Sequence, residues 1–297
     1  MIVCKCIEKI RNKSNIIIGY KLCDENNVYI DMNPNQLKLA MKSGQIRVHN
    51  LKLTEDNRII DSKQTLTTKP DTDKTKRPST VESVLRKSKL LGYTIEEVKG
   101  YTGQVVKVIY TNKERDSLII CIDETETELE QGITNSIFPA SFGNSSSTLK
   151  NVKIIGGNSL KSAANLIDNA DIDYLDLSGF KPDNFVNASN LFFNSNIRKL
   201  NFGNFNMKSI VYANYMFSHC VIDEITFGPQ NKTNQYEKNL NICKLSFSNL
   251  EDATNMIFYS KMPALDISLG FSENVSSFGI NRIIDGAETP SIKLSIT

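Results

Sequence analysis

The chain has 297 residues, 40% hydrophobic and 23% charged, with a formal net charge of +2, which is enough chain for two ordinary cores and the composition of a folded, water-soluble protein. No apolar run approaches the roughly 18–20 residues of a membrane span. Met1-Ile2-Val3-Cys4-Lys5-Cys6 puts a charge where a signal peptide needs its apolar stretch, so the expected location is cytoplasmic.

In chain order, residues 1–60 read as a small α+β domain. Val3 to Ile10, Ile16 to Leu22 and Val28 to Asp31 form a three-stranded meander with turns at Arg11–Asn15 and Asp24–Asn27. Asn33-Pro34 supplies a cap and a first-turn proline for a helix through Met41, which Gly44 closes. Ile46 to Leu53 is expected to be extended up to a turn at Glu55-Asp56-Asn57. Residues 61–78, rich in Thr, Lys, Asp and Pro, read as a flexible linker. Residues 79–136 begin with capping-box spacing at Ser79-Thr80-Val81-Glu82 and a helix that Gly92 stops. A hairpin of Gln104–Tyr110 and Ser117–Ile122 follows, and the whole segment is a candidate N-terminal cap for what comes next.

Residues 137–297 read as a repeat array. Leu175-Asp176-Leu177-Ser178, Leu200-Asn201-Phe202-Gly203 and Ile225-Thr226-Phe227-Gly228 return every 25 residues, with Val152-Lys153-Ile154 as an earlier copy. A second phrase, Asn190-Leu191-Phe192-Phe193 and Asn214-Tyr215-Met216-Phe217, recurs after 24 residues. Its Asn is expected to bond backbone at a turn and its Phe to fill the core. Gly228 to Asn239 reads as an insertion. Leu240-Asn241-Ile242 and Leu265-Asp266-Ile267 follow as strands, and Phe271 onward reads as a terminal cap. Strand alternation turns Asp176, Asn201, Thr226, Asn241 and Asp266 outward as one column, the expected protein-binding face.

These residues resemble the BspA-like branch of the leucine-rich-repeat proteins. Leu175-Asp176-Leu177-Ser178-Gly179-Phe180 and Tyr215-Met216-Phe217-Ser218-His219-Cys220 carry the likeness, with Asn255-Met256-Ile257-Phe258 as a partial third copy, over about residues 150–268. The resemblance implies a short leucine-rich-repeat solenoid that binds proteins. Residues 1–60 are similar to small modules of phage or mobile-element proteins, which implies an inhibitor of a host defence protein.

Catalytic signatures are missing: no P-loop, G-x-G-x-x-G, G-x-S-x-G or H-E-x-x-H occurs, and the two histidines, His49 and His219, read as structural or surface residues. No enzyme, cofactor or metal is expected. Cys4, Cys6 and Cys23 lack zinc-site spacing, and all six cysteines read as reduced thiols, with Cys220 and Cys243 in the core. The front of the chain is mildly basic: residues 1–100 carry 19 Lys and Arg against 12 Asp and Glu, leaving 16 against 21 for the rest. Within it, Lys74, Lys76, Arg77, Arg86, Lys87 and Lys89 form the phosphate-contacting set of an alternative, nucleic-acid-associated reading. A surface adhesin is a third reading. The leading expectation is a non-enzymatic protein-binding module.

Overall fold

The structure, a computed structural model, describes residues 2–24, 28–61, 80–100, 103–130, 133, 137, 148–227, 242–275 and 279–296. The protein is mostly β and divides into two compact units, residues 1–95 and 96–297. The proposed linker, apart from Asp61, lies outside the described residues, as do Ser79, the whole Gly228–Asn239 insertion, Leu240 and Asn241.

In the first unit, β1 (Ile2–Arg11), β2 (Ile17–Asp24) and β3 (Tyr29–Met32) form the antiparallel meander. Asn12 makes its first turn by accepting from the Ser14 and Ile16 N–H groups, while Asn15 takes φ 61°. Helix α1 (Pro34–Lys42) opens on a capping box between Asn33 and Gln36 with Pro34 in its first turn. It ends where Gly44, at φ 71°, lets the Gln45 N–H reach back to Ala40 O at 3.1 Å. The helix carries the chain across the sheet, so β4 (Ile46–Val48) lies parallel to β1, giving the order β3-β2-β1-β4. The expected single run from Ile46 to Leu53 is broken at His49-Asn50. The Asn50 side chain accepts from Cys6 N–H and donates to Cys6 O, both at 2.7 Å, and so takes a strand's place beside the bulge in β1. β5 (Leu51–Leu53) then pairs with β6 (Ile59–Asp61) as a hairpin around Asn57. Leu22, Ile30, Met32, Leu37 and Ala40 fill the core, and Leu90 joins them from α2 (Thr80–Leu90).

The segment from 79 to 136 is therefore divided. Helix α2 packs with the first unit, because Leu90 is buried in that core. The strands after it belong to the second unit, the boundary falling within β7 (Thr94–Lys99). There β8 (Val105–Tyr110) and β9 (Ser117–Ile122) form the expected antiparallel hairpin, and β9 pairs on its other side, in parallel, with β10 (Leu149–Gly156).

From β10 the chain winds as a β-solenoid of about five turns. β11 (Asp171–Phe180), β12 (Asn196–Asn201) and β13 (Val221–Thr226) stack in parallel on β10 with Val152, Leu175, Leu200 and Ile225 in one row, 25 residues apart from Leu175 onward but 23 apart at the first step from Val152. No single coil can bury its apolar face, so the stack shares one core. Phe192 lies on Phe217 with centroids 5.2 Å apart, and Phe180 on Phe205 at 5.7 Å.

A second backbone ladder runs down the turn side. Alternate N–H groups of one turn phrase donate to carbonyls of the next at 2.7–3.2 Å, through the phrases 163–169, 188–194, 213–219, 253–259 and 280–286. The ladder needs left-handed backbone at two positions per phrase: Asn165 and Asn169, Asn190 and Asn194, Tyr215 and His219, Asn255 and Tyr259, Arg282 and Gly286. Two sequence expectations are corrected here. The phrase repeats at 25 residues, with Asn190 matched to Tyr215 and not Asn214, because the Asn serves to adopt positive φ. Residues after Phe271 are also more than a cap: 280–286 form another turn phrase, and β16 (Ile292–Ile296) adds a parallel strand to β15 (Ala264–Phe271).

The insertion has a topological effect. Val221 at the start of β13 bridges Lys261, one turn phrase later, yet β14 (Ile242–Leu250) occupies the place beside β15. The insertion thus delivers a second strand before a single turn phrase. The strand column splits into a sheet ending at β13 and a sheet beginning at β14, while the turn ladder continues unbroken.

Candidate functional site

Strand register brings Lys153, Asp176, Asn201 and Thr226 into one column. Lys153 Nζ lies 2.8 Å from Asp176 Oδ2, Asn201 Nδ2 donates to Asp176 Oδ1 at 3.0 Å, and Thr226 Oγ1 is 3.4 Å from Asn201 Oδ1. Asp176 and Asn201 also accept from the N–H two residues on, Ser178 at 2.9 Å and Gly203 at 3.0 Å, ending each strand in an Asx turn. Burial pushes the Asp176 carboxyl up, but the Lys153 and Ser178 hydrogen bonds outweigh it and hold the pKa below the ordinary carboxylate value. Asn201 is only 3% exposed. The column is a self-satisfied clamp between coils and presents little open surface. In the later sheet the register partner of Asp266 is Lys244, not the expected Asn241. The apolar pair there is Cys243 and Leu245, three residues later than the expected Leu240 and Ile242.

The rest of the strand face is charged and paired across coils. Arg198 meets Asp173 at 3.2 Å, Lys199 meets Glu224 at 2.9 Å and Lys150 meets Asp116 at 2.7 Å. These exposed pairs each add little stability.

The basic set is dispersed in role. Lys74, Lys76 and Arg77 lie outside the described residues. Arg86 is held by the buried Asp24 and by Glu82, and Lys87 is half-buried, its pKa lowered by desolvation against a small opposing effect of Asp31. Lys89 is exposed. Two of the three described cations are thus engaged within their own unit.

The thiols of Cys121 and Cys243 are pushed up to about 12 by burial, and that of Cys220 higher still. Cys220 sits in a column of small residues with Ala170, Ser195, Ser260 and Ala287, where the chain passes from turn to strand. Among the described residues no three of His, Cys, Asp and Glu gather to hold a metal, and no helix is long and apolar enough to cross a membrane.

The turn face carries the feature that sequence reading missed. At left-handed positions, where Asn and Gly are the low-strain residues, the last three turn phrases place Tyr215, His219, Tyr259 and Arg282, at φ 49–57°. With Phe193 and Phe258 they form one surface cluster, in which His219, Tyr259 and Arg282 are exposed and Phe193, Tyr215 and Phe258 are partly buried. His219 is 5.6 Å from Phe193, 5.5 Å from Phe258 and 6.0 Å from Tyr259 between ring centroids, and Phe193 is 6.3 Å from Tyr215. Arg282 caps the row, 5.5 Å over the Phe258 ring and 3.4 Å from Asp285. Tyr259 is 63% exposed and rests on Gly286, where any Cβ would come within 2.8 Å of its ring. The available signal was the loss of Asn at positions 215, 219 and 259 of an otherwise regular phrase. It becomes readable only once the one-residue register is corrected.

No family model matches the chain, and no curated protein or solved structure matches it.

Proposed function

We propose that the protein is a non-enzymatic protein-binding module, a solenoid of the BspA-like leucine-rich-repeat kind attached to a small α+β domain, and that it binds through the turn face. The observation that carries this reading is the surface cluster of exposed His219, Tyr259 and Arg282 with partly buried Phe193, Tyr215 and Phe258. Tyrosine and arginine are the residue types that dominate interface energies. Four of the six residues hold backbone conformations costing about 1–2 kcal/mol each, strain that the coils with Asn or Gly avoid. Residues kept at such a cost in a fold that does without them elsewhere support a role outside folding.

The test is affinity capture from a lysate of the native host at about 0.15 M salt, with and without nuclease, by the full chain and by the triple variant Tyr215→Asn/His219→Asn/Tyr259→Asn. A protein captured in both nuclease arms and absent from the variant supports the reading. Capture that vanishes with nuclease and survives in the variant would favour the basic N-terminal segment and a nucleic-acid role.

A further inference from the structure

We propose that the β1–β2 hairpin of the first unit is an arm that docks on an anionic lipid bilayer, a role separate from binding by the solenoid. The pairing sets this arm apart from its sheet. β4 pairs with β1 only over Ile2–Cys4 and β3 with β2 only over Tyr20–Cys23, so the hairpin from Ile7 to Gly19 runs on past both neighbours as a two-stranded ribbon. Such a ribbon is marginal in water by itself. It nevertheless carries four exposed isoleucines, Ile7, Ile10, Ile16 and Ile18. The β1–β2 register skips Ile7 on one strand and Ile18 on the other, and these two side chains are 47% and 51% exposed. A bulge re-aims a side chain, and both bulges here aim isoleucine at solvent. Ile16, beside the turn, is 61% exposed, and Ile10 lies over Gly19, where a Cβ would meet its Cδ1 at 3.3 Å.

The charge around these side chains names the occupant. From Lys9 to Cys23 the chain has Lys9, Arg11, Lys13 and Lys21 and no Asp or Glu. Lys9 is held by Asp61 at 2.6 Å and Lys21 faces Glu8 across the register. Of the four, Arg11 and Lys13, both exposed at the turn, have no ion pair among the described residues. Aliphatic side chains ringed by Lys and Arg suit the membrane interface, the first entering the acyl boundary and the second meeting lipid phosphates. A protein-facing patch is led by Tyr, Trp and Arg, and a nucleic-acid groove needs rings for the bases. The arm from Ile7 to Gly19 has no aromatic residue. Its turn also bonds its own backbone, as a segment short of water must. Asn12 N–H donates to Ile16 O and Asn15 N–H to Asn12 O, both at 3.0 Å. The Ser14 and Ile16 N–H groups share Asn12 Oδ1, and Arg11 Nη1 donates to Asn15 O at 2.8 Å.

The test uses the full chain with vesicles of phosphatidylcholine alone and of phosphatidylcholine mixed with phosphatidylserine, at about 0.15 M salt. The chain contains no tryptophan, so Ile16→Trp gives the arm the sole indole emission, and Leu39→Trp, exposed on α1, gives a reporter away from it. The expected result is a blue shift of the Ile16→Trp emission with the anionic vesicles only, and none for Leu39→Trp. Co-sedimentation with those vesicles should weaken at least about tenfold in Ile16→Ser/Ile18→Ser. In Arg11→Gln/Lys13→Gln, whose exposed side chains leave the core untouched, it should weaken about fivefold for each cation removed. No co-sedimentation with either vesicle overturns the proposal. Binding that both variants retain overturns the arm as its site, and equal binding to the two vesicles overturns the anionic partner. Capture through the turn face depends on other residues and stands or falls separately.

Discussion

At the scale of single residues, the strand ends show how closely the coils approach. Gly203 has φ 59°, and a Cβ there would lie 2.4 Å from Ser178 Cα, a backbone atom that cannot step aside. Gly203→Ala is expected to cost about 3 kcal/mol in urea unfolding, from strain and clash together. Asp176, in the preceding coil, tests the clamp. Its folded pKa is depressed, so its contribution is fully present above the unfolded value of about 4 and is lost as pH falls through the lower folded value. Asp176→Asn should lose about 1–2 kcal/mol at neutral pH and flatten the acid limb of the stability profile. An unchanged acid limb in the variant would mean that the Lys153–Asp176 pair adds nothing across coils. Both residues were singled out by the 25-residue spacing, but the spacing could not say that Asn201 would be covered by its neighbours' side chains. An outward strand position in a stack is exposed only if the coils above and below leave it room.

At the scale of elements, the apolar-x-apolar strands were legible because period-two burial is written directly in Leu175-x-Leu177 and Leu200-x-Phe202. Both helix ends were legible too, through Asn33-Pro34, Gly44 and Gly92, which have local chemical reasons to sit where they do. What was not legible depends on partners distant in sequence. β4 runs parallel to β1 because α1 carries it across, and β14 displaces β13 from the place beside β15. β16 was hidden because its spacing from β15 is 27 residues, Leu265 pairing with Ile292. The split between β13 and β14 has a consequence for cooperativity, since a stack held by nearest-neighbour contacts opens where one ladder is interrupted. In the native protein at mild pH the Cys121, Cys220 and Cys243 thiols should resist a thiol reagent, being buried with raised pKa values. In rising urea Cys243, on β14, should label before Cys121, on β9. Simultaneous labelling would show that the unbroken turn ladder alone keeps the stack one unit.

At the scale of the whole molecule, the solenoid has two long faces with different characters. The strand face neutralises its own charges and ties its central column together, whereas the turn face carries strained and exposed rings that the backbone ladder does not require. The central claim is that Tyr215, His219 and Tyr259 are kept for binding and not for folding. Its most direct test is equilibrium urea unfolding of the chain and of Tyr215→Asn/His219→Asn/Tyr259→Asn. Relief of left-handed strain at three positions returns about 3–6 kcal/mol, and the five ring pairs that these residues make account for about 2.5–7.5 kcal/mol, so the two nearly cancel. The expected result is an unchanged m value and a stability within about 1–2 kcal/mol of the parent. A variant less stable than the parent by about 4 kcal/mol or more would contradict the account, for the rings would then be part of what holds the coils together.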